Sequence, residues 1–195
     1  MLGAHYYPWY GKPAHSILGA GGGSQVTLIT LFLGKYNSRD PAAINQHIAW
    51  AKSAGIDFFA MEWTEPHTWE DITLKEYYLP ASKAAEIKFC ILYDSYFALN
   101  KLGTLFSFNF NDRHTTAKTK GRKFLDGFEY LADTYFSDPR YLKIGDRPLP
   151  ELKMVLITTF NEWHEGIEIE PSQEYGSTYL ELTELFSDEL KGGRV

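Results

Sequence analysis

At 195 residues, 44% of them hydrophobic, the chain is long enough for one domain with a sizeable core. Its 19 basic residues are outnumbered by 25 acidic ones, and the net charge of -6 argues against a nucleic-acid surface, which needs a basic stripe. No apolar run is long enough to span a bilayer, and no basic stretch leading into an apolar one opens the chain as a signal peptide would.

Leu2 to Trp9 reads as a first strand, beginning almost at the initiator Met, which hints at a trimmed N-terminus. Gly19 to Ser24 is a glycine-rich loop without the strand-before, helix-after context of a phosphate cradle. Asp40 and Pro41 open a helix, one as cap and the other at the first helical position. Ile44, Ile48 and Ala51 recur at helical spacing and Gly55 stops the helix. His47 on this helix is expected at the core edge or partly exposed. Ile56 to Met61 is a strand ending at Glu62 and Trp63. A helical segment between Asp71 and Ala85 is expected to break or kink near Pro80. Ile87 to Leu92 is the next strand and ends at Tyr93, Asp94 and Ser95. Its Cys90, the one cysteine, reads as a buried small hydrophobe. Phe97 to Thr119 departs from the alternating rhythm, and Lys118 to Lys123 reads as a solvated loop or helix start. Arg122 to Tyr135 is a helix, Met154 to Phe160 a last strand, and Tyr179 to Leu190 a terminal helix.

Buried strands alternating with helices predict a parallel α/β fold of the (β/α)8 TIM-barrel type. Polar and aromatic residues gather where each strand ends, which is the catalytic mouth of such a barrel. A complete barrel needs eight strands and about 250 residues. Only four strands are clear here, so the chain reads as one partial barrel domain over residues 1–195, with several βα units missing and an internal deletion near 150–151.

The densest chemistry lies from Thr158 to Pro171, where four carboxylates alternate with an amide, an indole and an imidazole. Glu162 and Glu165 stand three apart beside Trp163, a pattern suited to acid/base work at a glycosidic bond. Glu168 and Glu170 read as surface or structural, and Trp163 equally as packing or platform. His164, Glu165 and Glu168 do not make a zinc site, because Glu168 stands where the metalloprotease pattern needs a second His. No metal or cofactor is expected. His5, inside a strand, reads as structural; Asp94 is either a backbone cap or a sugar contact.

These residues resemble glycoside hydrolase family 99, the endo-α-mannosidase family. The resemblance runs in order over most of residues 1–184. It is carried by Gly3 to Gly11 (GAHYYPWYG), Leu33 to Asp40, Ala54 to Phe59, Tyr141 to Ile144 and, above all, Phe160 to Gly166 (FNEWHEG) followed by Ile169, Glu170 and Pro171. The closing motif is also similar to that of WbsX-like proteins, often labelled glycosyltransferases, but the opening motif favours family 99.

The resemblance implies a retaining hydrolase acting on α-mannose-containing oligosaccharides without metal. Glu165 matches the general acid/base. Glu162 matches the base that draws the proton from the substrate 2-hydroxyl, which closes a 1,2-anhydro sugar. Asn161 and His164 belong to the same motif as substrate-site residues, while Tyr7, Trp63, Trp163 and Asp94 are candidates for the surrounding sugar site. A glycan-binding protein without turnover and a WbsX-like transferase are the alternatives. An incomplete barrel has open strand edges, so poor solubility or self-association is expected.

Overall fold

The computed structural model describes residues 1–11, 32–94, 116–143, 155–163 and 168–192. Its elements are β1 (Leu2–Tyr6), α1 (Pro41–Ser53), β2 (Phe58–Trp63), α2 (Trp69–Thr73), β3 (Lys88–Tyr93), α3 (Thr116–Thr134), β4 (Val155–Ile157) and α4 (Thr178–Lys191). The four strands form one sheet in the order β3-β2-β1-β4. Every pairing is parallel, with Gly3 opposite Phe58, Phe58 opposite Lys88 and Leu2 opposite Val155.

The last described strand therefore returns to the side of the first instead of extending the sheet beyond β3. First and last strands are neighbours in a closed barrel. Among the described residues the sheet stays open, a four-stranded arc and not eight closed strands. Its β3 edge is partly covered, because Phe89 donates to the Arg140 carbonyl and accepts from the Leu142 amide.

Alternation along the strands sends Leu2, Ala4 and Tyr6 to one face. There they join Phe59, Met61, Trp63 and Phe89 in the main core, with Ile44, Ile48 and Ala51 of α1 and Leu180 of α4. On the opposite face Phe58, Ala60 and Glu62 are buried, whereas Leu156 is 38% exposed. Gly3 lies under the Phe58 ring, and a Cβ there would stand 2.2 Å from it.

Helix α1 forms as its signals predict. Asp40 accepts the Ala42 amide at 2.8 Å, and Gly55 adopts φ +71° just beyond the helix. His47 corrects the expectation of an edge position, being completely buried. Helix α2 is capped by the Thr68 hydroxyl and continues as a π-turn over Leu74–Tyr78. The helix breaks at Leu79 and Pro80, as the proline predicts, and a 3-10 turn over Ala84–Glu86 ends the segment. Strands β1 and β4 are shorter than expected, because their C-terminal residues leave the ladder for the turns that build the site. The Phe97 to Thr115 stretch and the 150–151 junction lie outside the described residues. No described helix is long and apolar enough to cross a membrane.

Candidate active site

Since β4 lies beside β1, the chain leaving β4 at Thr158 meets the chain leaving β1 at Tyr7. The Asn161 side chain joins the two. Its Oδ1 accepts the Tyr7 amide at 2.9 Å and its Nδ2 donates to the Tyr7 carbonyl at 3.2 Å, imitating a peptide group in a ladder. The Tyr10 hydroxyl donates to the Asn161 carbonyl and accepts the Trp163 amide at 3.1 Å. The Glu162 amide donates to Thr159 Oγ1 at 2.8 Å. Three consecutive residues are thus fixed by groups from β1, from the Tyr10 turn and from their own strand exit.

Past residues 164–167 the chain returns along the same line. The Ile169 and Glu170 amides both donate to the Phe160 carbonyl, at 3.1 and 2.9 Å. The Glu170 carboxylate is buried and accepts three bonds: from Trp163 Nε1 at 2.7 Å, the Tyr36 hydroxyl at 2.9 Å and His47 Nε2 at 2.9 Å. Tyr36 in turn accepts from Asn161 Nδ2 at 3.3 Å. On its other nitrogen, His47 Nδ1 lies 2.9 Å from the Tyr6 hydroxyl.

The electrostatics are those of carboxylates held out of water. Glu162 is only 4% exposed. Burial, reinforced by the charge of Glu162, pushes the Tyr10 phenol far above its usual range, so Tyr10 remains a neutral donor. Burial, with Glu170 nearby, lifts the Glu168 carboxyl to about 7. Burial also lowers the pKa of His5 and favours its neutral imidazole. Glu62 adds another buried carboxylate at the end of β2, on the opposite side of β1 from Glu162. Among the described residues no three His, Cys, Asp or Glu side chains converge as a metal site would require.

The expected site residues fare differently. Asn161, Glu162, Trp163 and Tyr7 come together at the β1–β4 exit. Asp94 ends β3, three strand positions from β4, with its amide on the Trp63 carbonyl at 2.9 Å. His164 and Glu165 lie outside the described residues. Trp63 is fully buried on the helix face: its indole donates to Asp71 at 2.9 Å and its rings stack on Tyr130. Trp163 is buried as well, so neither indole offers a face to a sugar. Tyr7 and Trp9 are half-buried, with ring centroids 4.4 Å apart, and the Tyr7 backbone is bonded to Asn161.

The sequence puts Trp9 among the aromatics ending β1 and leaves Glu170 as surface or structural, but names neither, nor His47 or Tyr36, as a site residue. For His47 a signal existed, because it lies three residues after Ile44 and four before Ala51 on the apolar stripe.

Fold and site together define a parallel α/β protein with buried carboxylates and an aromatic pair at the C-terminal rim of its sheet. The fold is similar to that of two solved structures of the GH99 endo-alpha-mannosidase of Bacteroides thetaiotaomicron. One, in complex with bis-tris-propane, aligns with a TM-score of 0.67 and 14% identity over 99% of this chain and 98% of that one. The other aligns with a TM-score of 0.52 and 16% identity over the same shares. The sequence matches no protein-family model and no curated protein.

Proposed function

We propose that the chain is a retaining, endo-acting glycoside hydrolase of α-mannose-containing oligosaccharides. The observation that carries this reading is the buried Glu162, presented where β4 meets β1 next to the half-buried Tyr7 and Trp9. Its support is the fold similarity to endo-α-mannosidases and the resemblance of the Phe160 to Gly166 motif to that family's. Glu162 acts as base on the sugar 2-hydroxyl, whose oxygen attacks the anomeric carbon as the glycosidic C–O bond breaks. Glu165, from the same motif, gives its proton to the departing oxygen. The 1,2-anhydro sugar is then opened by water, with Glu165 taking a water proton and Glu162 returning one to the 2-oxygen. A base kept largely from water is suited to this step, because its charge is weakly screened.

The test is hydrolysis of a defined α-mannose oligosaccharide by the purified chain. Glu162→Gln and Glu165→Gln are each expected to lower kcat by at least about 100-fold, the scale of general acid/base catalysis. Full activity in either variant would remove that residue from the mechanism. The β4 edge, unpaired beyond β1 among the described residues, and the exposed Leu156 favour one second reading, a glycan-binding protein without turnover. Glycan binding by calorimetry in a sample that cleaves nothing would support it.

A further inference from the structure

We propose that Glu170 and His47 are positioning residues for Glu162, forming a buried brace that sets the angle at which the Asn161–Trp163 turn leaves the sheet. This inference rests on the hydrolase reading above. A carboxylate that accepts an indole, a phenol and an imidazole, at 1% side-chain exposure against 0% for its histidine partner, has given up its water entirely. Taking an ionic group out of water is costly, and apolar side chains of similar volume often serve stability equally well or better. What an apolar substitute does not supply is direction. Each bond to Glu170 reaches a different part of the site. Trp163 is the residue after Glu162. Tyr36 holds Asn161, the residue before it. His47 brings in α1, on which it lies, and through Tyr6 also β1. The Glu162 side chain thus stands between two residues that both answer to one carboxylate.

The bonding also fixes a sense of donation. Trp163 Nε1 can only donate, and Tyr36 donates to Glu170 while accepting from Asn161. His47 presents Nε2–H to Glu170 and leaves Nδ1 to the Tyr6 hydroxyl. Burial holds Tyr6 and Tyr36 as neutral phenols, so both remain donors. Such an arrangement orients groups in the way outer residues orient the ligands of a metal site.

The test compares Glu170→Gln, His47→Leu, His47→Gln and Tyr36→Phe with the wild type in steady-state hydrolysis of an α-mannose oligosaccharide, with thermal unfolding of each. A displacement of the base by about 1 Å costs about 100-fold in rate. Glu170→Gln and His47→Leu are expected to lose about that factor in kcat with KM little changed. His47→Gln, which keeps a donor near Nε2, should recover most of the loss. Tyr36→Phe removes the bonds to Glu170 and from Asn161 but leaves the ring, so it should fold even if His47→Leu does not, and lose about tenfold in kcat. An active wild type with unaltered kcat in Glu170→Gln and Tyr36→Phe overturns the brace alone. Losses that track Tm, with no recovery in His47→Gln, also overturn it. An inactive wild type overturns the hydrolase reading, and the brace with it.

Discussion

Trp63, at the end of β2, donates its indole N–H to Asp71 across 2.9 Å, eight residues further along the chain. Asp71 also accepts the hydroxyls of Tyr135 at 2.6 Å and Tyr130 at 2.7 Å and the His67 amide at 2.9 Å. One aspartate thereby holds the end of a core strand to α2 and α3. The cluster lies on the helix side of the sheet, where it anchors α2 and α3 to the end of β2.

Asp71→Asn should therefore cost stability in a pH-dependent way. Burial by itself would raise the pKa of Asp71, but the Tyr135, Trp63, Tyr130 and His67 donors outweigh it and hold the carboxyl below its ordinary range. A depressed pKa contributes stability above the unfolded value of about 3.9, and that contribution is lost as pH falls through the folded value. At pH 7 the substitution should cost about 2–3 kcal/mol, the scale of hydrogen bonds to a charged group. Urea unfolding at pH 7 and pH 3 should show the gap to wild type narrowing in acid. A gap of equal size at both pH values would contradict the assignment.

Glu168 has the opposite sign. Its folded pKa of about 7, raised by burial, lies above the unfolded value, so its contribution is intact in acid and lost as pH climbs from about 4.3 through about 7. Glu168→Gln should match wild type near pH 4 and be more stable at pH 8 by about 1–2 kcal/mol, after allowance for solvent screening. Melting temperatures across that range read the difference directly.

Gly55 is pinned from two sides. Its φ of +71° is a left-handed conformation, and a Cβ would stand 2.3 Å from Ser187 Oγ on α4. Ser187 and Lys191 both donate to the Gly55 carbonyl, at 3.1 and 2.7 Å. Gly55→Ala should cost about 1–2 kcal/mol for the backbone alone, and more for the displaced helix. A chemical melt within about 0.5 kcal/mol of wild type would show that α4 yields without cost.

Local chemistry made much of this legible in advance. Asp40, Pro41 and Gly55 mark α1 within a residue, and the apolar runs at Phe58 and Phe89 give β2 and β3. The motif ending β4 points directly at the Asn161–Trp163 turn. Other features depend on which strands become neighbours. Glu170 reads as surface or structural until β4 is set beside β1 and its amide is found on the Phe160 carbonyl. Trp63 looks like a platform until alternation, counted from Phe58, turns it towards Asp71. Pro80 announces the break after α2, which falls at Leu79 and Pro80.

The outer side of α4 bears on solution behaviour. Tyr179 is 44% exposed, Leu182 56%, Leu185 64% and Phe186 36%, while Leu180, Thr183 and Ser187 on the other side are buried. With β4 unpaired beyond β1 among the described residues, this stripe and the strand edge favour association of copies. Light scattering should show mass rising with concentration, and Leu182→Lys with Leu185→Lys should lower it. A wild-type monomer at all accessible concentrations would contradict this.

The aromatic residues should divide by role. Trp63→Ala leaves a cavity in the core and strips Asp71 of a donor, so it should destabilise the protein by about 3–5 kcal/mol. Trp9→Ala and Tyr7→Ala remove half-buried rings that pack on each other, with Trp9 also against the Tyr10–Trp163 cluster. The bonds between Tyr7 and Asn161 use the Tyr7 backbone and survive the change. Both variants should unfold near the wild-type temperature yet bind an α-mannose oligosaccharide about tenfold more weakly, the worth of one lost stacking face of roughly 1.4 kcal/mol. Calorimetric titration alongside thermal melts separates the two classes. If Trp9→Ala and Tyr7→Ala bound the glycan as wild type does, the sugar platform would lie elsewhere on the rim, and the reading of the β1–β4 exit as the substrate site would lose its aromatic half.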